Sequence, residues 1–85
     1  MILELDIGEK RIGVAVGSTE SGLARPHSVL RHTTRKSDAR QVRELAAELG
    51  ASLLLVGCPL NADGTMTAQG KRIRRYTEGM AQDIG

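Results

Sequence analysis

Glu4 and Asp6 lie two residues apart in the apolar run Ile2 to Ile7. On an extended strand they share one face, and Leu3, Leu5 and Ile7 share the other. Asp is depleted in strands and is rarely buried without a partner. Asp6, standing just ahead of Gly8, therefore has two explanations. Its side chain can bond the amides of the Gly8 to Lys10 turn, or it can serve as a ligand for a hard cation, held on a rigid strand end. Glu4 reads as a solvated or Arg-paired strand residue and, alternatively, as a substitute ligand on the face of Asp6. Lys10 and Arg11 follow at the turn, and Lys71, Arg72, Arg74 and Arg75 place four cations within a few residues farther along. Contacts from Lys and Arg to phosphate dominate affinity for nucleic acid, so the second group marks a backbone-binding surface. A solvated helix face accounts for the same run.

These residues need elements to position them. Ile12, Val14 and Val16 alternate with Arg11, Gly13 and Ala15, which predicts a second strand paired antiparallel with Ile2 to Ile7 through a hairpin at Gly8. Gly17 to Gly22 reads as a polar, turn-rich loop. A third, weaker strand is predicted at about Ser28 to Arg31, with Pro26 marking it as an edge. Ser37 is the expected cap of a helix with Val42, Leu45, Ala46 and Leu49 on one face and Gly50 as its stop. Ser52 to Val56 is a continuous apolar run, expected to be a parallel strand beside the first and covered on both faces. The loop Gly57 to Thr65 follows, and then a helix from about Thr67 with Ile73, Tyr76 and Met80 as its apolar stripe.

Loops at the C-terminal ends of parallel strands line ligand crevices. Asn61, a neutral donor and acceptor, is thereby expected at the same edge as Asp6, suited to contact phosphate or water. Pro59 and Asp63-Gly64 also explain this loop as a plain connection. Cys58 has no His partner in any nucleophile signature and reads as a small buried hydrophobe. Neither His27 nor His32 has a carboxylate or Cys at ligand spacing, and neither is assigned a role.

Eighty-five residues suit one domain, one expected to be marginally stable at this size. The core must be aliphatic, because Tyr76 is the only aromatic residue beside no Phe and no Trp. That scarcity argues against single-strand binding by base stacking and favours duplex, branched or structured nucleic acid contacted through its backbone. A net charge of +2 says little about partners by itself. One cysteine excludes an internal disulfide framework and suits a reducing compartment. With no apolar run of spanning length and no basic leader after Met1, no membrane association and a cytoplasmic location are expected.

The order strand, strand, strand, helix, strand, helix, with a carboxylate ending the first strand, is the opening of an α/β ribonuclease H-like fold. Leu5 to Ala15, Gly57 to Thr65 and the downstream Ala68-Gln69-Gly70-Lys71-Arg72-Ile73-Arg74 together closely resemble the YqgF (RuvX-like) family over essentially the whole chain. Members are described as Holliday-junction resolvases and as nucleases that process the precursor of bacterial small-subunit ribosomal RNA. The resemblance implies phosphodiester hydrolysis assisted by Mg²⁺ or Mn²⁺, with Asp6 matching the family's first-strand carboxylate.

It also implies a fifth strand and a last helix, carrying the other acidic ligands, beyond residue 85. The chain is thus expected to be the N-terminal part of one nuclease domain and to be inactive alone. Two departures stand out: Gly17-Ser18 replaces the usual Ser-Asp pair, and Glu4 stands where a small or apolar residue is usual. Two rival readings remain. One is a non-catalytic nucleic-acid-binding module; the other is part of an actin-like ATPase, whose first phosphate motif is similar but which needs a second, duplicated domain. A sheet edge beside Leu53 to Val56 without its neighbour predicts a symmetric homodimer or a domain-swapped form in which the second helix moves to a neighbouring copy.

Overall fold

A computed structural model describes residues 1–18 and 20–85; Thr19, in the turn-rich loop expected between Gly17 and Gly22, lies outside the described residues. The alternation in the first run produces strand β1 (Ile2–Ile7), and that in the second produces β2 (Arg11–Gly17). They pair antiparallel from Ile2 opposite Gly17 to Ile7 opposite Ile12. Glu9 and Lys10 sit at the tip of the turn, closed by the Gly8 amide donating to the Arg11 carbonyl at 2.8 Å.

The third strand, β3 (Ala24–Arg31), is longer than the expected Ser28 to Arg31. Pro26 does not end it, because β3 is the outer strand of the sheet and a missing amide there costs no ladder bond. The register slips beside the proline: Val14 faces Ser28 and the next residue, Ala15, faces Pro26. A bulge at His27 thus absorbs the irregularity.

Helix α1 (Arg35–Leu49) starts at Thr34, not at the expected Ser37. The Thr34 hydroxyl accepts from the Ser37 amide at 3.1 Å, so Ser37 is the third helical residue and the recipient of the cap. Gly50 ends the helix in the left-handed region at φ 66°, where glycine carries no Cβ penalty. Strand β4 (Leu53–Val56) lies parallel to β1, giving the sheet order β3-β2-β1-β4. It is not covered on both faces as expected: Leu53 and Leu55 remain 48% and 45% exposed.

The asymmetry follows from where the helices sit. Helix α1 and helix α2 (Ala68–Ile84) contact each other and enclose one core with Leu3, Leu5, Ile7, Ile12 and Val14, to which they bring Ala39, Val42, Ile73 and Met80. The opposite sheet face, bearing Glu4, Asp6, Val29 and Leu55, is an open groove. Helix α2 begins where expected, and Thr67 caps it: its hydroxyl accepts from the Gly70 amide at 2.9 Å. Gly70 is required there, since a Cβ would come within 2.5 Å of the Pro59 carbonyl oxygen.

Candidate active site and nucleic-acid interface

Asp6 is exposed on the open face, at the end of β1. Gly13 is its cross-strand partner on β2, and Gly57, just past the end of β4, lines the same groove on the other side. Both flanks of the carboxylate are consequently bare backbone. A Cβ on Gly13 would sit 3.6 Å from the Asp6 Cβ, filling the space beside the carboxylate, and one on Gly57 would meet nothing within 4 Å. Among the described residues Asp6 accepts no hydrogen bond from the Gly8 to Lys10 turn, so it is not the cap of that turn.

Glu4 is one pleat back on the same face, half-buried between Ala15 and Leu55, its neighbours across β2 and β4. Strand geometry separates two such residues by about 6 to 7 Å along β1. No group of three or more His, Cys, Asp or Glu among the described residues could hold a metal ion. A divalent cation needs about six oxygen ligands. The described donors therefore do not form a complete site for Mg²⁺ or Mn²⁺; Asp6 fits as one ligand of such a site.

The parallel strands β1 and β4 deliver Asp6 and the Gly57 to Thr65 loop to the same edge of the sheet. Within that loop the side-chain amide of Asn61 donates to the Thr65 hydroxyl at 3.0 Å and to the Met66 carbonyl at 3.4 Å. Its donors are thus occupied in shaping the loop, and its side-chain oxygen accepts no hydrogen bond among the described residues. Asp63 accepts from both the hydroxyl and the amide of Thr65, and these bonds hold its carboxyl below the usual carboxylate range. Cys58, expected to be a buried small hydrophobe, packs against the core but is only half-buried.

The expected cations divide among three grooves. Lys71, Arg74 and Arg75 line one groove with Met66 and Glu78, and Arg74 is paired with Glu78 at 3.1 Å. Arg72 points the other way, into a groove with Glu9, Gln69, His32 and Tyr76. Lys10 and Arg11 line a third groove with Arg31, and His32 lines that one too.

The assignment of no partner to His32 is overturned. Its Nδ1 lies 2.5 Å from Asp38 Oδ2, an oxygen that also accepts from the Tyr76 hydroxyl at 2.5 Å, while Asp38 Oδ1 accepts from the Thr33 amide at 3.0 Å. Asp38 is fully buried, and these three donors are what make a buried carboxylate tolerable. Sequence spacing hid the pairing, because Asp38 lies six residues from His32 and 38 from Tyr76. The usable signal was an Asp at a core position of α1. His27, by contrast, is exposed, and among the described residues its ring meets the Ser28 hydroxyl alone, at 3.0 Å.

Comparison with known proteins agrees with this arrangement. A family model described as "RuvX: Holliday junction resolvase" matches residues 1–85. A protein of Nitrosospira multiformis is 39% identical over 83 residues, covering 98% of this chain and 55% of that protein. One from an Anaeromyxobacter species is 37% identical over 83 residues, covering 98% and 61%. One from Burkholderia lata is 41% identical over 81 residues, covering 92% and 54%. All three bear the description "Putative pre-16S rRNA nuclease". The chain spans little more than half the length of these relatives. With the Asp6 hairpin, the parallel β4 and the capped α2 in the expected order, and a match over every residue, the chain belongs to the RuvX family.

Proposed function

We propose that this chain is the N-terminal part of a ribonuclease H-like nuclease domain that hydrolyses phosphodiester bonds in structured RNA, such as precursor 16S rRNA, or in branched DNA, such as a Holliday junction. The observation that carries this reading is Asp6: exposed, without a side-chain hydrogen bond among the described residues and flanked by glycine on both sides at the end of β1. In this reading Asp6 is one ligand of Mg²⁺ or Mn²⁺, and the other acids come from outside residues 1–85. When bound, such a cation activates water and neutralises charge on the phosphate. The residues of this chain hold the substrate: Lys10, Arg11, Lys71, Arg72, Arg74 and Arg75 take its backbone, and Asn61 offers its carbonyl oxygen to water at the edge.

The working compartment in this reading is the cytoplasm, where ribosomal RNA is processed. No helix among the described residues is long and apolar enough to cross a membrane. The incomplete metal site favours a second reading, a nucleic-acid-binding module without catalysis. Both readings expect the 85-residue chain to bind duplex nucleic acid weakly, with affinity falling as salt rises. Replacing Lys71, Arg72, Arg74 and Arg75 by Ala should weaken binding and flatten the salt dependence; unchanged binding at low salt would remove α2 from the interface. Cleavage assays on the longer protein containing this chain separate the readings, and a four-way DNA junction beside precursor 16S rRNA identifies the substrate.

A further inference from the structure

We propose that His32 is a phosphate-binding residue, held in place by Asp38, at the point where the groove of Lys10, Arg11 and Arg31 meets the groove that holds Arg72. The proposal rests on the nucleic-acid reading above and gives that reading a contact it lacks. His32 is fixed through its backbone and through two contacts of its ring. The His32 amide donates to the Lys10 carbonyl at 2.9 Å, Nδ1 pairs with Asp38, and the ring meets Tyr76 edge-on with centroids 5.3 Å apart.

The outward edge of the ring is free. Nε2 has no partner among the described residues, and no buried side-chain nitrogen or oxygen among them lacks one, so Nε2 reaches solvent; the side chain is 21% exposed. Around it stand Arg72 on one side and Lys10 and Arg31 on the other. In the imidazolium form both ring nitrogens donate. Nδ1–H is then answered by the Asp38 carboxylate, and Nε2–H points at whatever fills the groove.

A phosphate diester is the ligand that this set fits: an anion with acceptor oxygens and no donors, met by an oriented N–H and a guanidinium. The charged and titratable groups around the ring are Asp38 and Arg35 from α1, Tyr76 and Arg72 from α2, Glu9 and Lys10 from the turn, and Arg31 from β3. Glu9 is the one exposed carboxylate among them and lines the same groove as Arg72. A histidine kept only to satisfy Asp38 would need no cations on its free side.

The test uses His32→Asn, whose amide can still donate to Asp38 but has no outward nitrogen, and Arg72→Gln, which alters an exposed residue with no ion pair among the described residues. Imidazole NMR resonances of the 85-residue chain are followed during titration with inorganic phosphate and with a short RNA duplex, and His27 serves as the internal control. The expected result is movement of the His32 signals and not those of His27. Each variant should weaken duplex binding by about five- to tenfold, Arg72→Gln should lower the salt slope by about one, and Glu9→Gln should tighten binding.

Unmoved His32 signals with both probes would overturn the proposal. So would duplex affinity indifferent to both variants, even if phosphate alone moved the signals. Loss of folding in His32→Asn leaves Arg72→Gln and Glu9→Gln to decide. Because no readout depends on cleavage, an inactive longer protein would refute the nuclease reading while leaving this result intact.

Discussion

Asp38 shows how a single residue can tie separate elements together. Its carboxylate joins the end of β3 through His32 and Thr33 to α2 through Tyr76, so three pieces of chain meet at one buried charge. Tyr76 records that environment. Burial first, then the hydrogen bond to Asp38 and the Asp38 charge, push the phenol above its ordinary value of 10.0, with Arg35 opposing. An acid whose pKa is raised by folding contributes stability that is complete below the unfolded value and is lost as pH rises through the folded one. Stability should therefore fall above pH 10.0 in the native protein and lose that dependence in Tyr76→Phe. Since Tyr76 is the only tyrosine, phenolate absorbance reads it directly. A midpoint at the ordinary value would show that the Asp38 contact is not formed.

At the level of elements, much could be read ahead of the structure. Periodicity located β1, β2 and α2, and Gly50 marked the stop of α1. What could not be read was set by distant contacts. Thr34 and Ser37 are both good caps, and only the path of the chain leaving β3 selects Thr34. The run Leu53 to Val56 is apolar enough to be buried on both sides, yet both helices pack on one face of the sheet. The site was legible only in part: Asp6 and the cations stood out by type, but their division around His32 depends on which way each side chain of α2 points.

Two glycines of α2 look alike in sequence and differ in cause. Gly70 abuts backbone, the Pro59 carbonyl, whereas a Cβ at Gly79 would meet the movable guanidinium of Arg35. Gly79→Ala should accordingly be near neutral, offsetting a weakened exposed Arg35–Asp83 pair with about 1 kcal/mol of helix propensity. Gly70→Ala should cost about 1 to 3 kcal/mol despite the same gain. Denaturant midpoints check this contrast, and equal effects would contradict it.

The whole molecule is one-sided. Helices cover one face of the sheet, and the other presents Val29, Leu53 and Leu55 around the acidic pair, with β4 as an edge strand next to them. Unpaired edge groups and an apolar face favour association. We propose that the 85-residue chain forms a homodimer through this edge, and sedimentation equilibrium with no concentration dependence would contradict that.

The same face holds the residue on which the functional account turns. The direct measurement is cleavage of the cognate nucleic acid, with Mg²⁺ or Mn²⁺, by the longer protein carrying Asp6→Asn. Nearly isosteric, the substitution should leave folding and duplex binding intact. It should lower the cleavage rate by about two to three orders of magnitude, the loss of several kcal/mol of charge stabilisation at the metal. Cleavage close to the unsubstituted rate would contradict the assignment of Asp6 as a metal ligand.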